Sequence, residues 1–264
     1  MTTAQKWPDI MYVVRHGQSD RNVMKDAAKA NGSSMIWSDG IRDQDTPLTQ
    51  LGILQSLSVG VELRKRHPKD PPPIPPCSFC DHLDVLIHQD ALRQRRLRGP
   101  VSTIFVSPYL RARQTTEEIM EGLGYEPKVV VEERIREIEF GILDGLSPEG
   151  IRVKYPEEIA RRAREGKYYY RAPGGENRPD VNLRLHSFID TVVRDYNQQV
   201  IVVVCHSVVV LCLRHLLERW DEAEYLLVDK EQDVKNASVT TYHCENNKIR
   251  LKAYNEIFYP ESAV

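Results

Sequence analysis

Four apolar runs in this 264-residue chain stop abruptly at residues able to do chemistry. "IMYVV" (10–14) ends in Arg15-His16-Gly17, and "QVIVVVC" (199–205) ends in His206. "VSTIFV" (101–106) is followed by Ser107-Pro108, with Arg111 one turn into the segment beyond. "KVVVEE" (128–133) leads into "IREIEFGILDG" (135–145), which places Glu137 in a loop. Ligands of open α/β sheets bind outside the carboxyl ends of the strands. Two imidazoles, two guanidiniums and one carboxyl group are therefore expected to converge at one edge of a sheet.

That set suits phosphoryl transfer. A phosphate dianion calls for planar, forked donors, which Arg supplies and Lys does not. An imidazole with an ordinary pKa of about 6.5 is mostly neutral at pH 7 and nucleophilic toward phosphorus. Neighbouring cations hold it neutral. A second imidazole can stabilise charge on the phosphoryl oxygens, and a carboxylic acid can protonate the leaving oxygen. A unit charge about 4 Å away contributes roughly 4 kcal/mol at an effective dielectric near 20. A cluster of cationic donors is thus explained by a bound dianion better than by any packing need.

The elements that must hold these groups are strands alternating with amphipathic helices. Helices are expected over 49–66, 108–124, 178–196 and 206–219, with Thr49 and Ser107 as hydroxyl caps and Pro108 at a first helical position. Such alternation predicts an α/β fold, a three-layer α/β/α sandwich with a mostly parallel central sheet. "SVTTYHC" and "IRLKAY" flank Glu245-Asn246-Asn247-Lys248 and read as a closing hairpin. Two stretches interrupt the pattern: a polar excursion at about 24–46 with one loose helix, and a proline-dense segment at 67–100. Both are expected as insertions in a single domain spanning 1–264, because neither carries enough apolar residues for its own core.

Six segments together resemble the histidine phosphatase superfamily, which contains phosphoglycerate mutases and fructose-2,6-bisphosphatases. "VVRHGQSDRN" (13–22) resembles its signature, "TPLTQLGILQS" (46–56) the start of its first long helix, and "VSPYLRARQTTE" (106–117) its second arginine motif. "IREIEFGILDG" is similar to its acid loop, "YRAPGGENRPDVNLRL" (170–185) to its Pro-Gly-Gly-Glu-Ser segment, and "VVVCHSVVV" (202–210) to its second histidine motif. They occur in family order. The resemblance implies a phosphoglycerate mutase-like fold and a phosphatase without metal or other cofactor. His16 would carry the phosphoryl group, Arg15, Arg111, His206 and Asn22 would hold its oxygens, and Glu137 would act as general acid and then base. Glu139 is the positional rival of Glu137. Ser207 and Asn177 depart from the family's usual glycine and serine without removing a catalytic group. The resemblance also makes the segment at 155–177 a lid over the pocket, with Arg162 and Lys167 as candidate contacts for a second anionic group. The same site would serve a mutase returning the phosphoryl group to a second hydroxyl, or a phosphate-binding scaffold that has lost turnover.

The bulk composition narrows the partners. Lys and Arg number 36 against 38 Asp and Glu, so no global field recruits nucleic acid or a membrane surface. No apolar run reaches the roughly 20 residues needed to span a bilayer. Five cysteines make no disulfide framework and point to a reducing, cytoplasmic setting. The expected substrate is a small phosphorylated metabolite or a phosphoprotein, and a homodimer is left open. "HCENNKIR" (243–250) has the His-Cys-x5-Arg spacing of cysteine phosphatases, but it lacks the glycines of a phosphate loop and is read as hairpin. Cys77-x2-Cys80 with His82 and His88 is too irregular for a zinc site, and the "RQRRLR" run (93–98) is read as a solvated face.

Overall fold

The computed structural model describes residues 6–35, 42–70 and 99–260. Six strands form one sheet: β1 (Ile10–Arg15), β2 (Thr103–Val106), β3 (Lys128–Val131), β4 (Val200–Cys205), β5 (Val239–Glu245) and β6 (Lys248–Glu256). Their order is β3-β2-β4-β1-β5-β6, with the first four mutually parallel and β5 antiparallel to both its neighbours. The eight α-helices among the described residues are α1 (Asp20–Asn31), α2 (Gln50–Arg66), α3 (Leu110–Leu123), α4 (Pro148–Lys154), α5 (Pro156–Tyr169), α6 (Arg178–Asp195), α7 (Ser207–Glu218) and α8 (Glu222–Glu231).

Alternation along the strands builds the three expected layers. Met11 and Val13 of β1, with Ile201, Val203 and Cys205 of β4, face a core shared with Leu185 and Phe188 of α6 and Val209 and Leu213 of α7. The intervening Ile10, Tyr12, Val14, Val202 and Val204 face the other side, against Val59 and Leu63 of α2 and Ile119 and Leu123 of α3. With both faces covered, the central strands read as continuous apolar runs, and every residue of β4 is buried. The hairpin is also present: Glu245 pairs with Lys248 across Asn246 and Asn247, both at positive φ, the two-residue turn that suits strand twist. His243 and Cys244 lie on β5 and Arg250 on β6, so the cysteine-phosphatase spacing belongs to a strand pair.

Two helix starts differ from expectation. The helix after β2 begins at Leu110 with Tyr109 as its cap, while the Ser107 hydroxyl bonds His206 and accepts from the Tyr109 amide at 3.4 Å. The helix of the first insertion begins at Asp20, directly after the strand-end motif, and Asn22 is part of its cap. Thr49 caps α2 as expected, accepting from the Gly52 amide. Gly17 and Gly52 let this start pack on the motif loop. A Cβ at Gly17 would lie 2.4 Å from the Gly52 carbonyl oxygen, and one at Gly52 2.0 Å from that of Gln18.

The second insertion leaves the far end of α2. His67 donates from Nδ1 to the Gly99 carbonyl (2.9 Å) and accepts at Nε2 from the Tyr12 hydroxyl (2.7 Å). The Tyr125 hydroxyl accepts from the Val101 amide and donates to the His67 carbonyl. The chain thus departs and returns at one stitched point before β2. The zinc-spaced cysteines, their histidines and the basic run at 93–98 lie outside the described residues.

Candidate active site

The pairing of Arg15 with Cys205 across β1 and β4 sets His16 and His206 side by side, each one residue past its strand. Their ring centroids are 5.2 Å apart. β2 ends on the other flank of β4, so Ser107 reaches His206, its Oγ 2.7 Å from Nε2. Arg111, in the first turn of α3, points back at His16, while the loop after β3 brings in Glu137.

His16 has a defined tautomer. Its Nδ1 faces the Gly17 carbonyl at 2.7 Å, so it carries the proton. Its Nε2 accepts from Arg111 Nε at 3.1 Å and therefore presents a lone pair. Burial holds this imidazole well below its ordinary range, and the Arg111 and Arg15 charges push the same way. Burial outranks the cations here, whereas the sequence pointed only to the cations. His206 is likewise depressed, by burial first and then Arg111. Glu137 moves oppositely: burial raises its carboxyl above the usual range against the Ile138 amide, which donates to Oε1 at 2.9 Å, and against Arg111. Burial thus disfavours the charged form of both imidazoles and of the carboxyl group.

Two buried nitrogens at this centre, Arg15 Nε and His206 Nδ1, lack a hydrogen-bond partner among the described residues. Unsatisfied buried donors are rare enough to call for an explanation. Arg15 is fixed by Nη1 donating to the Val234 carbonyl. Asn236 frames the same wall, its Nδ2 donating to the His16 carbonyl and to Asn22 Oδ1, both at 3.2 Å. Asn22 Oδ1 also accepts from the Ser19 amide and hydroxyl, which orients the side chain and turns its amide nitrogen away from these bonds.

Arg111 brings a residue that the sequence did not suggest. Asp43, on a short 3-10 turn (Asp43–Asp45) in the first insertion, accepts from Arg111 Nη1 at Oδ1 (3.0 Å) and from Nη2 at Oδ2 (3.2 Å). Its carbonyl accepts from Nη1 at 2.6 Å. Arg21 of α1 closes the network, pairing with Asp43 and with Asp144. A cavity of about 170 Å³ opens beside this cradle, lined in part by Asp43, Tyr109, Ile138, Glu139 and Phe140. Glu139 is exposed there. Ser107, Asn236, Arg21 and Asp43 escaped the sequence reading. Ser107 had a signal in its strand-end position. Asp43 had none, being one of five consecutive polar residues (42–46) in an insertion.

Arg162 and Lys167 stand apart, on α5. Lys167 is ion-paired with Asp229 of α8. Arg162 lies over the Tyr170 ring at 6.0 Å. Neither has a hydrogen bond, ion pair or ring contact with the cradle residues among the described residues.

A cradle of imidazoles and guanidiniums at parallel strand ends, with a buried carboxyl group on the loop after β3, suits the handling of phosphoryl groups. The histidine phosphatase superfamily (branch 1) profile matches residues 87–257, and the chain belongs to that superfamily. Phosphoserine phosphatase 1 of Hydrogenobacter thermophilus is 30% identical over 65% of this chain and 80% of its own length. 6-Phosphofructo-2-kinase/fructose-2,6-bisphosphatase 3 of Rattus norvegicus is 35% identical over 92% of this chain, which spans only 34% of that protein. Among solved structures, a mycobacterial glucosyl-3-phosphoglycerate phosphatase in complex with VO3 has a TM-score of 0.63 at 23% identity, covering 94% of this chain and 99% of its own. Bacillus stearothermophilus YhfR gives 0.66 at 18% identity, covering 94% and 97%. These likenesses establish the α/β/α fold. No helix among the described residues is long and apolar enough to cross a membrane.

Proposed function

We propose that the protein hydrolyses phosphate monoesters of small metabolites by a two-step phosphohistidine route without a metal cofactor. The carrying observation is the His16 tautomer: a neutral ring with its Nε2 lone pair turned toward Arg111 and its proton fixed on the far nitrogen. In the first step Nε2 attacks phosphorus, the P–O bond to the substrate breaks, and the leaving oxygen takes the Glu137 proton. In the second step Glu137, now a carboxylate, takes a proton from water. The resulting hydroxide attacks phosphorus, the P–N bond breaks, and inorganic phosphate leaves with His16 restored.

The other groups serve the transferring oxygens. Arg15 Nε and His206 Nδ1, buried without partners among the described residues, gain acceptors when phosphate enters. Ser107 then donates to His206 Nε2, which leaves the proton on Nδ1. Asn22 adds its amide N–H. Arg162 and Lys167 enter this reading as contacts for a remote anionic group, with Lys167 exchanging Asp229 for it.

The test is trapping. Brief incubation with a labelled aryl phosphate yields an acid-labile, base-stable phosphoenzyme, absent from His16→Ala, and turnover persists in the presence of a chelator. Turnover unchanged in His16→Ala would reject the proposal.

A further inference from the structure

We propose that Asp43 is a positioning residue that aims one edge of the Arg111 guanidinium at the phosphoryl group. The inference rests on the proposed phosphatase reading for its kinetic consequences, but its geometry is independent of it. A guanidinium carries five N–H donors in a rigid plane and can hold an anion either end-on, by Nη1 and Nη2, or side-on, by Nε and Nη2. Asp43 takes the end-on edge with both carboxylate oxygens, and its own carbonyl takes a further Nη1 bond. Only the side-on edge is left to face His16, where Nε already meets Nε2 at 3.1 Å. A phosphoryl oxygen arriving at this edge replaces His16 Nε2 as the acceptor of Nε–H, which frees the imidazole lone pair, and takes the second Nη2–H as well.

The clamp is buried and braced. Arg111 and Asp43 are 2% and 6% exposed, and Arg21 grips Asp43 from α1 while also holding Asp144. A free arginine side chain gives up substantial rotamer entropy when it is fixed on an anion. Here that ordering is complete before substrate arrives, which is the condition for strong electrostatic stabilisation of a transition state. The competing reading makes Asp43 a carboxylate plug that phosphate must displace from Arg111. The two differ in which edge the anion occupies.

A crystal structure of the wild-type protein with inorganic phosphate separates them. The expected result is phosphate on the Nε/Nη2 edge with Asp43 still bound to Nη1 and Nη2; phosphate in place of the Asp43 carboxylate overturns the inference. In kinetics, Asp43→Asn lowers kcat at least about tenfold while inorganic phosphate inhibits no more weakly, since the variant loses aim but also a repelling charge. Asp45→Asn, the same change on the exposed side of the same turn, stays within about twofold. In an Arg111→Lys background Asp43→Asn adds less than about twofold, the non-additivity expected when one residue acts through another. Equal losses in both backgrounds, or an undiminished kcat, overturn the inference. Absence of turnover in the wild type would reject the phosphatase reading, and the phosphate position in the crystal would still decide the role of Asp43.

Discussion

The strand-end cradle and helix α5 both carry arginines, aromatic rings and carboxylates, yet their chemistry differs. At the strand ends His206, Arg111 and His16 are 0%, 2% and 3% exposed, and two buried nitrogens have no partner among the described residues. On α5 the Lys167 side chain is 40% exposed and already paired with Asp229. Arg161 is similarly engaged, by Glu165 and Glu158. Residue type does not separate the two regions. What separates them is desolvation without full internal neutralisation: in the cradle, burial strengthens the electrostatics and depresses both imidazoles, whereas on α5 water and neighbouring carboxylates absorb the field.

Breaking the cradle at its acid gives the largest effect. Glu137 is buried and its carboxyl is raised above the usual range, a shift toward the acid form that the proposed route asks of it. Glu137→Gln is expected to slow turnover of alkyl phosphates by roughly 10²–10⁴-fold, the usual contribution of a positioned acid. Aryl phosphates, whose leaving groups need little protonation, should slow far less in the phosphorylation step. Steady-state rates on a leaving-group series measure the contrast. Equal slowing across the series would remove Glu137 from the acid role and return attention to Glu139.

The same desolvation predicts a pH dependence of stability that α5 should not share. His16 and His206 have folded pKa values lowered from 6.5, so below pH 6.5 the unfolded chain binds more protons than the native one. Stability therefore falls as pH drops below that value, with a limiting slope of about 1.4 kcal/mol per pH unit for each histidine. Glu137 acts in the opposite sense, its stabilising contribution present below pH 4.5 and lost as pH rises through its raised folded pKa. Urea unfolding between pH 5 and 7 should show a shallower slope in His206→Asn than in the wild type. An unchanged slope would mean that this imidazole is not held neutral by burial.

What the sequence disclosed follows the same division. β4 is apolar at every position because helices cover both its faces, so its end, and His206 with it, could be located by inspection. The Arg15-His16-Gly17 corner and Arg111 were legible for the same reason: each sits within a few residues of such an end. Asp43 was not. Its partner Arg111 lies 68 positions away, and no local period links a 3-10 turn in a polar insertion to a helix start on another strand. Ser107 shows an intermediate case. It was recognised as a hydroxyl at a helix start, but the cap position is Tyr109, and the bond of the hydroxyl to His206 across the sheet could not be foreseen. Backbone periodicity is written locally, whereas side-chain pairing depends on the assembled layers.

The smallest expected effect sharpens the comparison from the α5 side. Lys167→Ala removes a partly exposed ion pair with Asp229, whose side chain is only 14% exposed. Exposed pairs are typically worth about 0.2–1 kcal/mol, and partial burial of Asp229 argues for the upper end. Arg162→Ala removes an exposed cation whose charge is disfavoured by partial desolvation and by Arg178, so its loss relieves as well as removes interactions. On phenyl phosphate, which has no second anionic group to offer, both variants should keep kcat/KM within about threefold of wild type, as expected of charges distant from the reacting atoms. A substrate with a remote phosphate or carboxylate is the discriminating partner. A rise in KM confined to that substrate would identify α5 as its binding wall, with Asp229 released from Lys167 when the anion binds. A tenfold loss on phenyl phosphate would instead place α5 inside the cradle's own field, and the distinction between buried and neutralised charge could no longer explain why one region does chemistry and the other does not.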